Sequence, residues 1–415
     1  MAGTICPKKE ECEALCLRYP AVPVYVILKL SMIRYGAVLT PAADKRLREK
    51  DLSFNTSEAF GLSYGSGPGT DNAMPGPVLL RDASFVYINW GEAYEDPYVI
   101  DYDPETGDFY LKERDIVIDT VSFVERPAFF DKKTRRGIPM ASLADVRAQK
   151  LIMTTWRKCI FRDLGMACRF CAFFSSGSGE IEVDPEDLYD VVSEAIKERG
   201  RFSEIALSGG TDLTGRPPFT QESDRYIRQW QAIGRLFRDR FPAQLMAPAY
   251  PKAMLRRIYD NTGITSYSAN LEIADRERFA AYCPGKAHFV GYDTWLGRLE
   301  EAVEVFGPGN VCTQIVAGAE LAGRDAFSSI EEALESNFRV CERLASNGVV
   351  FLSTIWRPHA ACDLGYVPVP PLEYYVRLAE GLHAIRASYG LHSFDDDYRH
   401  CGNHPDSDME RTDYL

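Results

Sequence analysis

The sequence predicts an α/β fold in which strands alternate with helices. Six short apolar runs of β-favouring residues alternate with stretches of helical periodicity. The first of these helices has clear start signals, Asp184 followed by Pro185, and Gly200 closes it. Strands and helices in this order form parallel βαβ units, hence a barrel or a doubly wound sheet. In both architectures the strand-to-helix loops lie on one rim, which is where ligands bind.

The elements of the repeat divide the chain into three predicted parts. Residues 1–150 form an N-terminal accessory segment with short strands at 85–90, 98–102 and 109–111 and a Gly-rich loop at 61–76. Residues 151–365 form the repeat, and residues 366–415 form a helix at about 372–387 and a polar tail. The predicted strands of the repeat are 151–155, 203–207, 244–247, 265–271, 310–316 and 349–355, and later helices lie near 225–241, 252–259, 295–306 and 330–345.

Charge and hydropathy restrict the classes of partner. The chain has 415 residues and a net charge of −13, which argues against nucleic-acid binding because phosphate recognition needs a concentrated cationic surface. The apolar stretch at 21–30 is short and contains Pro23 and Lys29, so it predicts neither a signal peptide nor a membrane span. We therefore expect a cytoplasmic protein.

Cysteines are clustered in two places among the eleven of the chain. In a reducing compartment, clustered cysteines are more often metal ligands or catalytic groups than disulfides. Cys159, Cys168 and Cys171 follow the first strand of the repeat, with gaps of eight and two residues. Three thiolates on one loop can ligate three irons of a cubane and leave the fourth iron open to a small molecule. Phe170, just before the last cysteine, would shield such a cluster from water.

Other interpretations of this loop remain open. A zinc site with three cysteines usually takes a fourth protein ligand, and no histidine lies between Thr155 and Ile181. The alternatives are a non-radical metalloprotein, with zinc or an electron-transfer iron–sulfur site, and an accessory protein that carries a cluster.

From Leu151 to about Ile355 the chain resembles the radical S-adenosylmethionine (SAM) superfamily, in particular its biotin synthase-like branch. The two-residue second gap and the aromatic residue before the last cysteine match the family pattern, whereas the usual first gap is three residues. The resemblance implies a [4Fe–4S] cluster and SAM, which is cleaved reductively to a 5′-deoxyadenosyl radical. This radical would abstract hydrogen from a small-molecule substrate in a biosynthetic or specialised pathway. It also implies an electron donor such as flavodoxin or ferredoxin.

Three segments at strand ends and one on a following helix match SAM-contacting segments of the family. The resemblance assigns Ser208, Gly209 and Gly210 to the SAM amino group, and Asn270 and Glu272 to its ribose and methionyl part. It assigns Arg298 to the SAM carboxylate, which suits a planar guanidinium. It assigns Ile315 and Val316 to packing on adenine.

The substrate side is predicted near the ends of strands three to six. Tyr250, Arg357 and His359 are the candidate catalytic or substrate-binding residues, and Arg357 suits a carboxylate or phosphate. A cap of aromatic and arginine side chains on the barrel mouth is an equal alternative. The biotin synthase-like branch has eight-stranded barrels, but too few residues follow Ile355 for two more units. The expected fold is a partial (β/α)6 TIM-type barrel, closed by the N-terminal segment and followed by a short C-terminal extension.

Two further predictions concern the N-terminal segment. A second iron–sulfur cluster is a further candidate, with Cys6, Cys12 and Cys16 as ligands and Cys401 from the tail as the fourth. Two observations count against it: the spacing of these cysteines matches no familiar motif, and N-termini are often disordered. The run from about Gly67 through the cysteine loop also resembles uncharacterised radical SAM proteins that are encoded beside nitrilases.

Overall fold

The structure is a computed structural model that describes residues 6–53, 58–60, 77–88, 90, 96–147, 149–175, 181–392 and 404–414. The predicted loop at 61–76, Gly67 and Cys401 lie outside the described residues.

Twelve α-helices and thirteen strands are assigned in the described part of the chain. The helices are α1 Pro7–Arg18, α2 Val24–Tyr35, α3 Pro41–Glu49, α4 Ile160–Asp163, α5 Pro185–Ala195, α6 Thr220–Gly234, α7 Lys252–Asn261, α8 Arg276–Tyr282, α9 Pro284–Phe289, α10 Tyr292–Phe306, α11 Ile330–Ala345 and α12 Leu372–Ser388. The strands are β1 Ala37–Leu39, β2 Val78–Leu79, β3 Phe85–Val86, β4 Tyr98–Tyr102, β5 Phe109–Glu113, β6 Ile116–Phe123, β7 Ala144–Arg147, β8 Lys150–Thr154, β9 Glu204–Ser208, β10 Ala243–Met246, β11 Ser266–Ser268, β12 Val311–Ala317 and β13 Val349–Ile355.

The larger sheet confirms the predicted partial barrel. Its strands follow the chain in the order β7 to β13, and β8 to β13 are all parallel. Helices lie between successive parallel strands, which gives six strand–helix units as the sequence predicts. Within the described residues β7 pairs only with β8 and β13 only with β12, so the barrel is open between these two edges.

The N-terminal segment contains a sheet and three helices. The sheet has the order β1-β4-β5-β6-β2-β3, and its strand pairs are antiparallel except for β1 and β4. The helices α1, α2 and α3 are additional to the predicted strands. The apolar stretch at 21–30 contributes to α2, which is buried along most of its length. Among the helices of the described chain, none is long and apolar enough to cross a bilayer.

Two features of the structure concern the ends of the predicted parts. The antiparallel strand β7 precedes residue 150 and pairs with β8, so the predicted limit at residue 150 falls inside a hairpin of the barrel sheet. The polar tail is partly internal: a 3₁₀ helix covers Pro405–Tyr414, and residues 404–409 are buried. Two fully buried ion pairs hold it, Arg386 with Asp406 at 2.8 Å and Lys29 with Asp408 at 2.5 Å. Each pair compensates charges that could not be buried singly.

Candidate active site

The cysteine loop begins at the end of β8 and runs beside the turn that follows β9. The backbone nitrogen of Gly210 donates to the carbonyl oxygen of Trp156 at 2.9 Å, and that of Ile160 donates to Thr211 at 2.9 Å. A Cβ atom on Gly210 would lie 2.2 Å from the carbonyl oxygen of Lys158, a distance that no side chain tolerates. Glycine at this position therefore lets the turn and the start of the cysteine loop pack backbone against backbone.

The long first gap between the cysteines is folded into a helical turn. Cys159 precedes the one-turn helix α4, whose Phe161 packs so closely on Gly285 that a Cβ atom there would lie 2.4 Å from the ring. The guanidinium of Arg162 then donates to the carbonyl oxygen of Cys171 at 2.9 Å, which ties the two ends of the loop together. The eight-residue gap therefore does not carry the first cysteine away from the others.

All three thiols line one cavity of about 190 Å³, together with the Ser208-Gly209-Gly210 turn. Burial raises the pKa of Cys159 and raises that of Cys171 to about 12, so these groups are thiols at neutral pH unless a metal displaces their protons. Within the described residues, no three His, Cys, Asp or Glu side chains converge closely enough to ligate a single ion. Three thiolates that bind separate irons of a cubane need not converge on one point, so this donor set fits a cubane.

A partly buried ion pair lies beside these thiols. The Lys286 ammonium is 2.7 Å from a carboxylate oxygen of Glu272 and donates to the carbonyl oxygen of Asn270 at 2.7 Å. Burial alone would lower the pKa of Lys286, but the negative charge of Glu272, and that of Cys168 when it is a thiolate, outweigh burial and raise the pKa. Sequence reasoning missed Lys286, since it follows the separate helix α8 and belongs to no recognised motif.

The backbone of Glu272 explains how this carboxylate is placed. Its φ of 71° lies in the left-handed region, which is unfavourable for a residue other than glycine. Two backbone hydrogen bonds to β12 hold this conformation: Glu272 donates to Gln314 and accepts from Val316, both at 2.8 Å.

A second cavity of about 230 Å³ adjoins the first. The two cavities share Cys168, Cys171, Ser208, Asn270 and Glu272, and the second one extends to the ends of β12 and β13. Four further residues that the sequence predicts as site residues line the second cavity. These are Phe170, Val316, Arg357 and His359.

Three predicted site residues lie away from both cavities. Tyr250 is fully buried and its hydroxyl donates to Glu222 at 2.5 Å. The guanidinium of Arg298 donates to the carbonyl oxygen of Ala249 at 2.8 Å, and Ile315 is a core residue. None of the three lines either cavity, so their predicted roles have no support from the cavity geometry.

Several residues of the second cavity were not singled out in the sequence. Arg147 and Lys150 come from the β7–β8 hairpin, and His404 comes from the buried part of the tail. The imidazole Nδ1 of His404 is 2.9 Å from the carbonyl oxygen of Ser353 on β13, which places the ring at the open edge of the barrel. No local pattern could identify these residues, because long-range packing brings them to the cavity.

Three cysteines of the candidate second cluster lie at the start of one helix or within it. Cys6 precedes α1, and Cys12 and Cys16 lie within it. Burial raises the pKa of Cys12 to about 11, and the thiol of Cys6 is 3.9 Å from the carbonyl oxygen of Glu113. The second cluster stays a prediction, since Cys401 is outside the described residues.

Comparison with known proteins gives distant relatives. No family model matches the chain. The bacteriochlorophyllide c C-7(1)-hydroxylase of Chlorobaculum limnaeum is 26% identical over 246 residues, which is 56% of this chain and 58% of that protein. The chain therefore matches less than two thirds of that relative's length.

Two solved structures are also similar. A radical SAM methyltransferase from Sphaerobacter thermophilus has a TM-score of 0.42 and 13% identity, and the match covers 73% of this chain and 79% of that one. The FeFe-hydrogenase maturase HydG from Carboxydothermus hydrogenoformans has a TM-score of 0.43 and 14% identity, with 59% and 52% covered. At these TM-scores we take no residue role from either protein. The chain is similar to the radical SAM superfamily in its cysteine loop and in the order of its strand-end motifs, and its six-stranded partial barrel is the fold that this resemblance implies.

Proposed function

We propose that the chain is a radical SAM enzyme that acts on a small molecule. Cys159, Cys168 and Cys171 hold a [4Fe–4S] cluster, SAM binds along the turn at residues 208–210, and the substrate occupies the adjoining cavity. The observation that supports this proposal most strongly is the shared lining: three thiols and the Gly-Gly turn surround one cavity, which continues past Cys168 and Cys171 into a second.

When bound, the reduced cluster supplies the electron that cleaves SAM to a 5′-deoxyadenosyl radical, which abstracts hydrogen from the substrate. The protein's part is to position both molecules and exclude water. Gly209 and Gly210 line the first cavity, and the Lys286–Glu272 pair fixes a carboxylate between the two cavities. Aromatic side chains of the second cavity, Phe60, Phe173 and Trp356, keep its interior apolar.

The electron donor in this proposal is a flavodoxin or a ferredoxin. The pigment named for the sequence relative is not assigned to this chain, because the match covers only 58% of that protein.

Anaerobic reconstitution with iron and sulfide tests the proposal. We expect about four irons at the central site and, after reduction with dithionite in the presence of SAM, release of 5′-deoxyadenosine. The variant with Cys159, Cys168 and Cys171 all replaced by Ala should lose both signals. Cys341→Ala is the matched control, since Cys341 is buried in α11 and lines neither cavity.

Three results would count against the proposal. A colourless protein that binds zinc at these cysteines favours the non-radical alternative. A cluster without SAM cleavage favours an accessory role. SAM cleavage by the triple variant would show that the cluster site is elsewhere.

A further inference from the structure

The second cavity is lined by three cations with low solvent exposure. Lys150 and Arg357 are 2% and 9% exposed, and the side chain of Arg147 is 13% exposed. Among the described residues that line this cavity, Glu272 is the one carboxylate, and it is 2.7 Å from Lys286. Cations therefore outnumber carboxylates along the cavity wall, although the whole chain carries a net charge of −13.

Two of these cations lie close to one aromatic ring, that of Tyr87. The guanidinium carbons of Arg147 and Arg357 lie 5.3 Å and 5.0 Å from the ring centre of Tyr87, within the range of cation–π attraction. Asp145, fully buried, accepts a hydrogen bond from Arg147 at 2.8 Å and one from the Tyr87 hydroxyl at 3.3 Å. Asp145 does not line the cavity, so it orients the arginine from outside the ligand space.

The third cation is held in a similar way. The Lys150 ammonium lies 3.0 Å from a carboxylate oxygen of Glu204 and donates to the amide oxygen of Gln244 at 2.9 Å. Neither Glu204 nor Gln244 lines the cavity. As with Arg147, the cation belongs to the cavity lining, whereas the acidic residue that pairs with it does not.

The rest of the wall is mainly apolar and aromatic. Its apolar residues are Phe60, Ile152, Phe170, Ala172, Phe173, Met246, Val316, Ile355 and Trp356. A guanidinium pairs well with a carboxylate or phosphate, because its planar donors match two oxygens of either group. An apolar wall with one cationic region therefore complements a molecule that has an apolar body and one anionic group.

We propose that the substrate is a small amphiphilic anion, whose carboxylate or phosphate binds Arg357 and Arg147 and whose apolar body packs on the aromatic wall. This inference rests on the proposed function, because it assigns the second cavity to the substrate. It adds the apolar character of that substrate and a second binding residue beside Arg357, namely Arg147, which lies on β7 before the predicted repeat.

Calorimetric titration of the reconstituted, unreduced protein with SAM bound tests the inference. The probes are phenylacetate, phenyl phosphate and the neutral phenylacetamide, which share an aromatic body. At least one anion should bind ten times more tightly than phenylacetamide or better, and the tighter anion identifies a carboxylate or a phosphate as the recognised group. Equal affinity of the anions and the amide, or no binding of either anion, would overturn the inference.

Variants locate the binding site. Arg357→Gln should weaken binding of the tighter anion about tenfold or more while its affinity for phenylacetamide stays the same, and Arg357→Lys should restore part of the loss. Arg147→Gln provides a second variant if Arg357→Gln does not fold. Arg339→Gln is the matched control, since Arg339 pairs on the surface with Glu335 and should not alter binding. Unchanged anion affinity in both Arg357→Gln and Arg147→Gln would contradict the inference.

A separate assay keeps the two proposals apart. Release of 5′-deoxyadenosine by the wild-type protein without anion preference refutes only the substrate class. Anion preference without SAM cleavage refutes the proposed function and leaves an anion-binding cavity.

Discussion

The thiol-lined cavity and the cationic cavity are neighbours, but the chain builds them in different ways. The first takes its three thiols and its glycine turn from two local segments, the cysteine loop at 159–171 and the turn at 208–210, which face each other because β8 and β9 are paired. The second collects Arg147 from β7, Arg357 from the end of β13 and His404 from the tail. The residues predicted to hold the cluster and SAM therefore lie mainly in short motifs, whereas the residues proposed to bind the substrate come together through tertiary packing.

Gly210→Ala should have the largest effect, and it should act on the thiol-lined side alone. The added Cβ would lie 2.2 Å from the Lys158 carbonyl oxygen and force the cysteine loop away from the turn. We expect loss of cluster retention and at least a hundredfold less 5′-deoxyadenosine, measured by iron analysis and chromatography. Gly234→Ala is the control: nothing lies within 4 Å of its Cβ position, so activity should be unchanged. Full activity of Gly210→Ala would contradict the packing described for the turn.

Asp406→Asn should perturb the cationic side. Asp406 is fully buried, pairs with the fully buried Arg386 at 2.8 Å, and accepts hydrogen bonds from the backbone and hydroxyl of Ser353 at 3.1 and 2.6 Å. Removing its charge leaves Arg386 without its compensating carboxylate, so the free energy of unfolding should fall by about 3–5 kcal/mol in chemical denaturation. The pair of Arg339 and Glu335 is exposed and offers a contrast. Glu335→Gln should change the free energy of unfolding by less than about 1 kcal/mol. A similar small loss in Asp406→Asn would show that the tail is not held by this pair.

Glu222 lines neither cavity, and it should make the free energy of unfolding depend on pH. Burial raises the pKa of Glu222 from 4.5 to about 8, and the Tyr250 hydroxyl and the backbone nitrogen of Asp212 donate to this carboxyl group. Since the folded-state pKa is above the unfolded one, the stabilisation is complete below pH 4.5 and is lost as pH rises toward 8. The slope from this group is about 1.4 kcal/mol per pH unit.

Glu222→Gln should remove this contribution. Denaturation curves between pH 5 and about 9 should then show a flatter dependence than in the wild-type protein. Glu335→Gln, at an exposed position, is the control and should leave the slope unchanged. An unaltered slope in Glu222→Gln would show that this carboxyl group does not carry the pH dependence.

The sequence is sufficient to predict the six-stranded barrel and, in the thiol-lined cavity, the three cysteines and the turn at 208–210. Apolar runs determine the strands, parallel pairing puts their ends on one rim, and the cysteines and glycines follow those ends directly. Position at a strand end does not determine where a side chain points, however. Tyr250 follows β10 as expected, yet its side chain turns into the core toward Glu222 of α6.

The tail and the N-terminal segment show a second limit of prediction from the sequence, which is long-range packing. His404 lies among polar residues that resemble a solvent-exposed end, and it becomes internal only because Arg386 and Lys29, far apart in the chain, each bind an acidic residue beside it. Arg147 precedes the repeat and reaches the cavity through an antiparallel strand that βαβ periodicity does not predict.

The central claim is that the three mid-chain thiolates leave one iron of a cubane open for SAM. Electron paramagnetic resonance of the reduced, reconstituted protein tests it directly, since a ligand on an open iron alters the spectrum of the cluster. We predict that adding SAM changes the spectrum of the wild-type protein and that the Cys159, Cys168 and Cys171 triple variant gives no such signal. A cubane spectrum that SAM leaves unchanged would contradict the account.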